Sequence, residues 1–224
     1  GAHGHVAIGL LILAAAPGSR ILPNLVRRAH GELALSVEIA LWLAKLTAFT
    51  APTTLALLTD AHRVHLHELR IIAALLGIQL IPYLAGRALR RRRPAWAARS
   101  GPPLDVVRAV LLIAGVALIV AAGQLSGLRL IGEIGWVAVL LFSAFSLTVG
   151  WIFGGPRTSV RRSFALAVNA RDLSLSLTLG TLAFPGRPVV LPLVAAWLIT
   201  FACSLAFAEV VGRRAHAGGG EVFA

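Results

Sequence analysis

Hydrophobic positions along the chain fall into long unbroken runs rather than into one-sided stripes. Residues 6–16 make a short apolar half-segment. "APGSR" (16–20) interrupts it, and a second half-segment covers about 20–29. "HGE" (30–32) leads into a long helix over 33–58, followed by the polar linker "TDAHRVHLHE" (59–68). A span over 69–89 ends in "RALRRRRPAWAARSGPP" (87–103), and spans at about 105–123 and 130–153 follow. After "GGPRTSVRR" (154–162) the run 163–184 is interrupted at its centre by "AVNARDLSLS", which carries Asn169, Arg171 and Asp172. A last span covers about 189–210. Several of these runs reach the ~20 residues that cross the hydrocarbon core as a helix.

Composition agrees with that pattern. Hydrophobic residues are 58% of the chain and charged residues 13%, with a mean hydropathy of +0.84. The expected fold is an all-α polytopic membrane protein with about seven transmembrane segments, counting each interrupted stretch as one crossing. The transmembrane domain is expected over 1–210, with a disordered, small and polar tail over 211–224. Cys203 is the only cysteine, so an internal disulfide is excluded. There is no Met, and the chain starts almost directly in an apolar segment. The natural N-terminus is therefore expected upstream of residue 1.

The formal net charge of +12 would point to nucleic acid in a soluble protein. Here the arginines sit between apolar runs, no nucleic-acid motif is present, and the partner expected is the bilayer. Alternate loops carry Arg27 and Arg28, then Arg87 to Arg108, then Arg157, Arg161 and Arg162, then Arg213 and Arg214. The opposite loops carry only Arg63, Arg70, Arg129 and Arg187. By the positive-inside rule the C-terminus is cytoplasmic, and the expected location is the bacterial inner (plasma) membrane.

This map leaves Arg20, Lys45 and Arg171 at membrane depth, where a charge costs at least ~2.5–3.5 kcal/mol and marks a functional candidate. Glu38 and Lys45 lie seven residues apart along one face of a helix. Two interrupted segments, one early and one late, are a pattern of secondary transporters. Broken helices there bring free N–H and C=O groups to the bilayer midplane. Pro17 and Gly18 supply the first break.

At these residues the chain resembles the bile acid:sodium symporter superfamily. "APGSRILPNLVRRAHGELALSV" (16–37) is similar to the family's first crossing helix and the entry into the next one; Pro17, Gly18, Ala29, Gly31, Ala34, Leu35, Ser36 and Val37 match, with Glu32 for the family's acid. "QLIPYLAGRALRR" (79–91) resembles the end of the sixth helix, and "SFALAVNARDLSLSLTLG" (163–180) the second crossing helix. The resemblance implies helices four to ten of a ten-helix fold built from two inverted repeats, the first three being absent. It also implies secondary active transport of a small organic anion by alternating access.

The departures from the family pattern fall on its sodium ligands. By the resemblance, the Ser-Asn pair of the first crossing helix falls at Leu22 and Pro23. The second hydroxyl of the following helix falls at Ala40, with Ser36 retained, and the Glu of the second crossing helix falls at Ala167. Leu, Pro and Ala side chains offer no oxygen, so the sodium site reads as dismantled. The Gln of a second sodium site aligns with Arg171, whose guanidinium repels a cation. Arg171 thus stands in for the sodium charge, neutralised by Asp172 or Glu38, or free to hold an anionic substrate. The candidate substrate- and ion-binding residues are Ser19, Arg20, Leu22, Pro23, Ser36, Glu38, Asn169, Arg171 and Asp172.

No cofactor and no metal site is expected. His65 and His67 alternate instead of taking helical i, i+4 spacing. Ser174 and Ser176 have no His beside them, and there is no P-loop, so the chain reads as no enzyme. The competing expectation is a non-transporting, decayed or partial homologue serving as a structural or sensory membrane protein.

Overall fold

The computed structural model describes residues 2–19, 21–58, 77, 81, 84–121, 132–183 and 190–217. They are mostly helical, with no strand among the described residues. The helices are α1 (Ala2–Ala15), α2 (Leu22–Arg28), α3 (Leu33–Leu58), α4 (Pro94–Ala121), α5 (Gly132–Phe153), α6 (Thr158–Asn169), α7 (Leu173–Ala183) and α8 (Val190–Ala217). A further helical stretch, 84–92, precedes α4. Two of them, α5 and α8, are long and apolar enough to cross a membrane.

Each interrupted run becomes two helices. Residues 16–21 separate α1 from α2, and Ala170 to Asp172 separate α6 from α7. Pro23 sits in the first turn of α2, where its missing N–H breaks no intrahelical bond. The far end of α2 closes in a Schellman motif. His30 takes the left-handed conformation (φ 52°), its N–H donates to Arg27 O at 3.2 Å, and the Gly31 N–H donates to Val26 O at 2.9 Å.

α8 runs through the centre, packing against α1, α2, α5, α6 and α7, while α3 packs on α1, α2 and α6. One apolar cluster joins Ile12, Leu13, Leu179, Leu193 and Trp197; another joins Leu22, Leu25, Val26, Leu166 and Ala208. α5 has the reverse of a soluble helix's pattern. Apart from Val139, its buried face is small or hydroxylated (Gly135, Ser143, Ser146, Gly150), whereas Ile134 and Phe145 are 78% and 70% exposed. Small residues allow close backbone approach. A Cβ on Gly150 would lie 2.5 Å from the Ala165 Cα of α6, a packing habit of helices in lipid.

Two expectations meet a different outcome. The arginine-rich connection over 87–103 is helical instead, in 84–92 and the start of α4, because Arg and Ala are strong helix formers and Pro94 occupies the first helical position. The last helix continues past 210 to Ala217. Gly212 packs there against the Arg28 carbonyl, so 211–217 belongs to the folded body. The linker 59–68 with its histidines, most of the span 69–89, and residues 218–224 lie outside the described residues.

Candidate functional site

The two breaks meet. Pro17 and Arg171 face each other in an antiparallel bridge. The Gly18 N–H donates to Ala170 O at 3.0 Å, and the Asp172 N–H donates to Ala16 O at 3.1 Å. Pro17 is therefore the non-hydrogen-bonded member of its pair, and its missing N–H leaves no partner unsatisfied. Gly18 has φ 94°, a left-handed value that costs a Cβ-bearing residue ~1–2 kcal/mol. Local sequence thus shapes the first break so that the second can pair with it.

Arg171 lies at the centre and is 8% exposed. Its Nη1 donates to Ala14 O and its Nη2 to Ser146 Oγ, each at 3.4 Å. Its guanidinium carbon stands 4.8 Å from the Phe142 ring centroid. Its Nε is buried without a hydrogen-bond partner. Arg28 pairs with Glu209 at 3.1 Å, and no described carboxylate pairs with Arg171.

Neither counter-ion considered for it pairs with it. Asp172 caps α7: its Oδ1 accepts from the N–H groups of Ser174 at 2.9 Å and Leu175 at 3.2 Å, a standard N-cap arrangement. Glu38 is on the exposed side of α3. Lys45, expected to face the interior or water, is also exposed and lies over the Trp42 ring at 4.8 Å.

Asn169 is a fully buried junction. Its Oδ1 accepts from Ser143 Oγ at 3.0 Å, and its Nδ2 donates to Ser204 Oγ at 2.8 Å and Thr200 O at 3.2 Å. It thereby ties α5, α6 and α8 together below the crossing. Sequence reasoning missed two supports. The Trp197 indole N–H donates to Arg171 O at 2.9 Å while its ring stacks on Phe201. Thr47, fully buried on α3, donates its hydroxyl to Leu43 O of its own helix at 2.6 Å and packs with its hydroxyl oxygen 3.4 Å from Pro17 O. Both are long-range contacts made by residues that read locally as ordinary span residues.

The remaining candidates divide. Ser19 lines a small cavity beside the crossing together with Asn169, Arg171, Trp197, Thr200 and Ser204; at about 10 Å³ it has room for a water-sized guest. Ser36 is buried, its hydroxyl donating to Leu33 O at 2.7 Å within its own helix. Leu22 is fully buried, in one apolar cluster with Ala167, and Ala40 packs against that cluster. Pro23, next to Leu22, is half-buried. Arg20 lies outside the described residues. No group of three or more His, Cys, Asp or Glu suited to a metal occurs among the described residues. Ser176 donates to Asp172 O at 2.8 Å, so its hydroxyl serves the helix start.

No protein-family model matches this chain, and no curated protein matches it.

Proposed function

We propose that the chain is the crossed-helix part of a secondary transporter for a small organic anion, similar to the bile acid:sodium symporters but working without sodium. The single observation that carries this reading is the reciprocal pairing of the two breaks, Gly18 with Ala170 and Asp172 with Ala16. Two discontinuous helices that meet at their breaks are the usual framework of a midplane binding site. α5 and α8 are long and apolar enough to span. The outward-facing large side chains of α5, set against its small inner face, fit a lipid surround and support placing the protein in a membrane.

Sodium independence rests on what fills the positions that the resemblance assigns to sodium ligands. Leu22, Ala40 and Ala167 share one apolar cluster, and hydrocarbon cannot replace a cation's oxygen shell. Arg171 adds a fixed positive charge nearby in the same crossing, which further disfavours a bound cation. The experiment is uptake of a panel of organic anions into proteoliposomes, with and without an inward sodium gradient. Uptake equal under both conditions is expected. Uptake that collapses without sodium rejects the sodium-free mechanism, and no uptake of any anion rejects transport.

A second reading, a non-transporting structural or sensory membrane protein, is favoured by one observation: the cavity at the crossing admits only a water-sized guest. A transporter in a closed state shows the same cavity. The two part on the uptake measurement.

A further inference from the structure

We infer that Arg171 binds a carboxylate through its Nε–Nη2 edge, which makes the transported anion a carboxylate held by two parallel charge-assisted hydrogen bonds, with the Ser146 hydroxyl beside them. This names the substrate class of the proposed transporter and rests on that reading.

The guanidinium is buried, yet no carboxylate among the described residues compensates its charge. Both of its hydrogen bonds are long, at 3.4 Å, and both acceptors are neutral. A carbonyl and a hydroxyl solvate a guanidinium in part but leave its full charge standing in a low-dielectric interior. Such a group calls for an anion.

Its geometry narrows the anion's chemistry. Phe142 covers one face of the guanidinium, which blocks approach from that direction. Nη1 is engaged with the Ala14 carbonyl at the end of α1. The edge formed by Nε and Nη2 remains, with Nε buried and without a partner and Nη2 touching only Ser146 Oγ. Two N–H groups pointing the same way from a planar fork match the two oxygens of a carboxylate. The other candidate counter-charge on the same break is already used, since Asp172 caps α7.

The adjacent cavity is water-sized, so a carboxylate reaches this edge when the helices around the crossing move apart. α8 and α5 are the elements that close it: Trp197 grips the Arg171 carbonyl from α8, and Phe142 and Ser146 come from α5. Carboxylate binding therefore requires an arrangement of these helices more open than the one described.

The test is binding to the purified chain in nanodiscs, read as the rise in unfolding temperature, with choline acetate and choline benzoate as probes. Acetamide, benzamide and choline chloride at equal ionic strength are the controls. Carboxylates are expected to stabilise saturably and amides not at all. Arg171→Lys keeps the charge but loses the fork, and weakens binding by about tenfold or more. Ser146→Ala weakens it by about threefold. Arg171→Gln abolishes it, while unfolding without ligand at the wild-type temperature or above, because the variant removes an uncompensated buried charge. Should Arg171→Gln fail to fold, the Lys and Ser146→Ala variants carry the test.

The proposal is overturned if amides stabilise as well as carboxylates, if no carboxylate stabilises the wild type, or if Arg171→Lys binds unchanged. Organic-anion uptake with the same KM in Arg171→Gln removes this site and leaves the transporter. Saturable, Arg171-dependent binding without uptake leaves the site and removes the transporter.

Discussion

Single side chains at the crossing divide between holding it together and leaving chemistry open. Asn169 spends three of its four side-chain hydrogen-bonding positions on the fold, accepting from Ser143 and donating to Thr200 and Ser204. Asn169→Leu should strand these partners and lower stability by about 1–3 kcal/mol, measured as a fall in unfolding temperature in detergent. Asp172 offers a sharper discrimination. If it is a cap, Asp172→Asn should change stability by only a few tenths of a kcal/mol and Asp172→Ala by about 1 kcal/mol. Were it instead the counter-charge of Arg171, the Asn variant would cost about 3–5 kcal/mol, and thermal unfolding of the pair decides. Trp197→Phe removes the indole N–H that holds Arg171 O together with part of a buried ring, with an expected loss of about 2–3 kcal/mol.

Among the elements, the breaks matter more than the helices they separate. The backbone pairing needs Gly18 at φ 94°, so Gly18→Ala should cost about 1–2 kcal/mol and abolish uptake at wild-type expression. Unchanged uptake in that variant would show that the pairing is dispensable. The crossing of α5 over α6 depends on the absence of a side chain at Gly150, where a Cβ would lie 2.5 Å from Ala165 Cα. Gly150→Val should therefore separate the two helices and lower the yield of folded protein in size-exclusion chromatography. At the opposite end of α2, Arg28–Glu209 is well exposed, and a surface ion pair of that kind is worth little. The packing of Gly212 on the Arg28 carbonyl is the firmer tie between α2 and α8.

For the whole molecule, an apolar outer face on α5 goes with a centre in which polar side chains lie buried beside the two apolar clusters. Large apolar groups face outward on α5, while Ser143, Ser146, Ser204, Asn169 and Arg171 are buried. The expected behaviour is retention in the membrane fraction after an alkaline carbonate wash and release by detergent. Release by the wash alone would reject an integral membrane protein.

Much of this arrangement was readable along the chain, because hydrophobic run length, Pro-Gly punctuation and isolated charges are local properties. The helix over 33–58 and both interruptions appear where the residues place them. The arginine-rich 87–103 is helical because Arg and Ala favour helix despite the charge density, and the helix end at Ala217 is not legible locally because it rests on the packing of Gly212 against Arg28. Sequence by itself determined the helical class, the two breaks and the presence of an arginine inside an otherwise apolar run, since each follows from the composition of a short window. Only the tertiary structure decided that the two breaks pair with each other, that Asp172 turns away to cap α7, and that Trp197 and Thr47 support the crossing. Those outcomes depend on contacts between residues far apart in the chain. They leave Arg171 buried with a free edge, a property that no window of sequence around it contains.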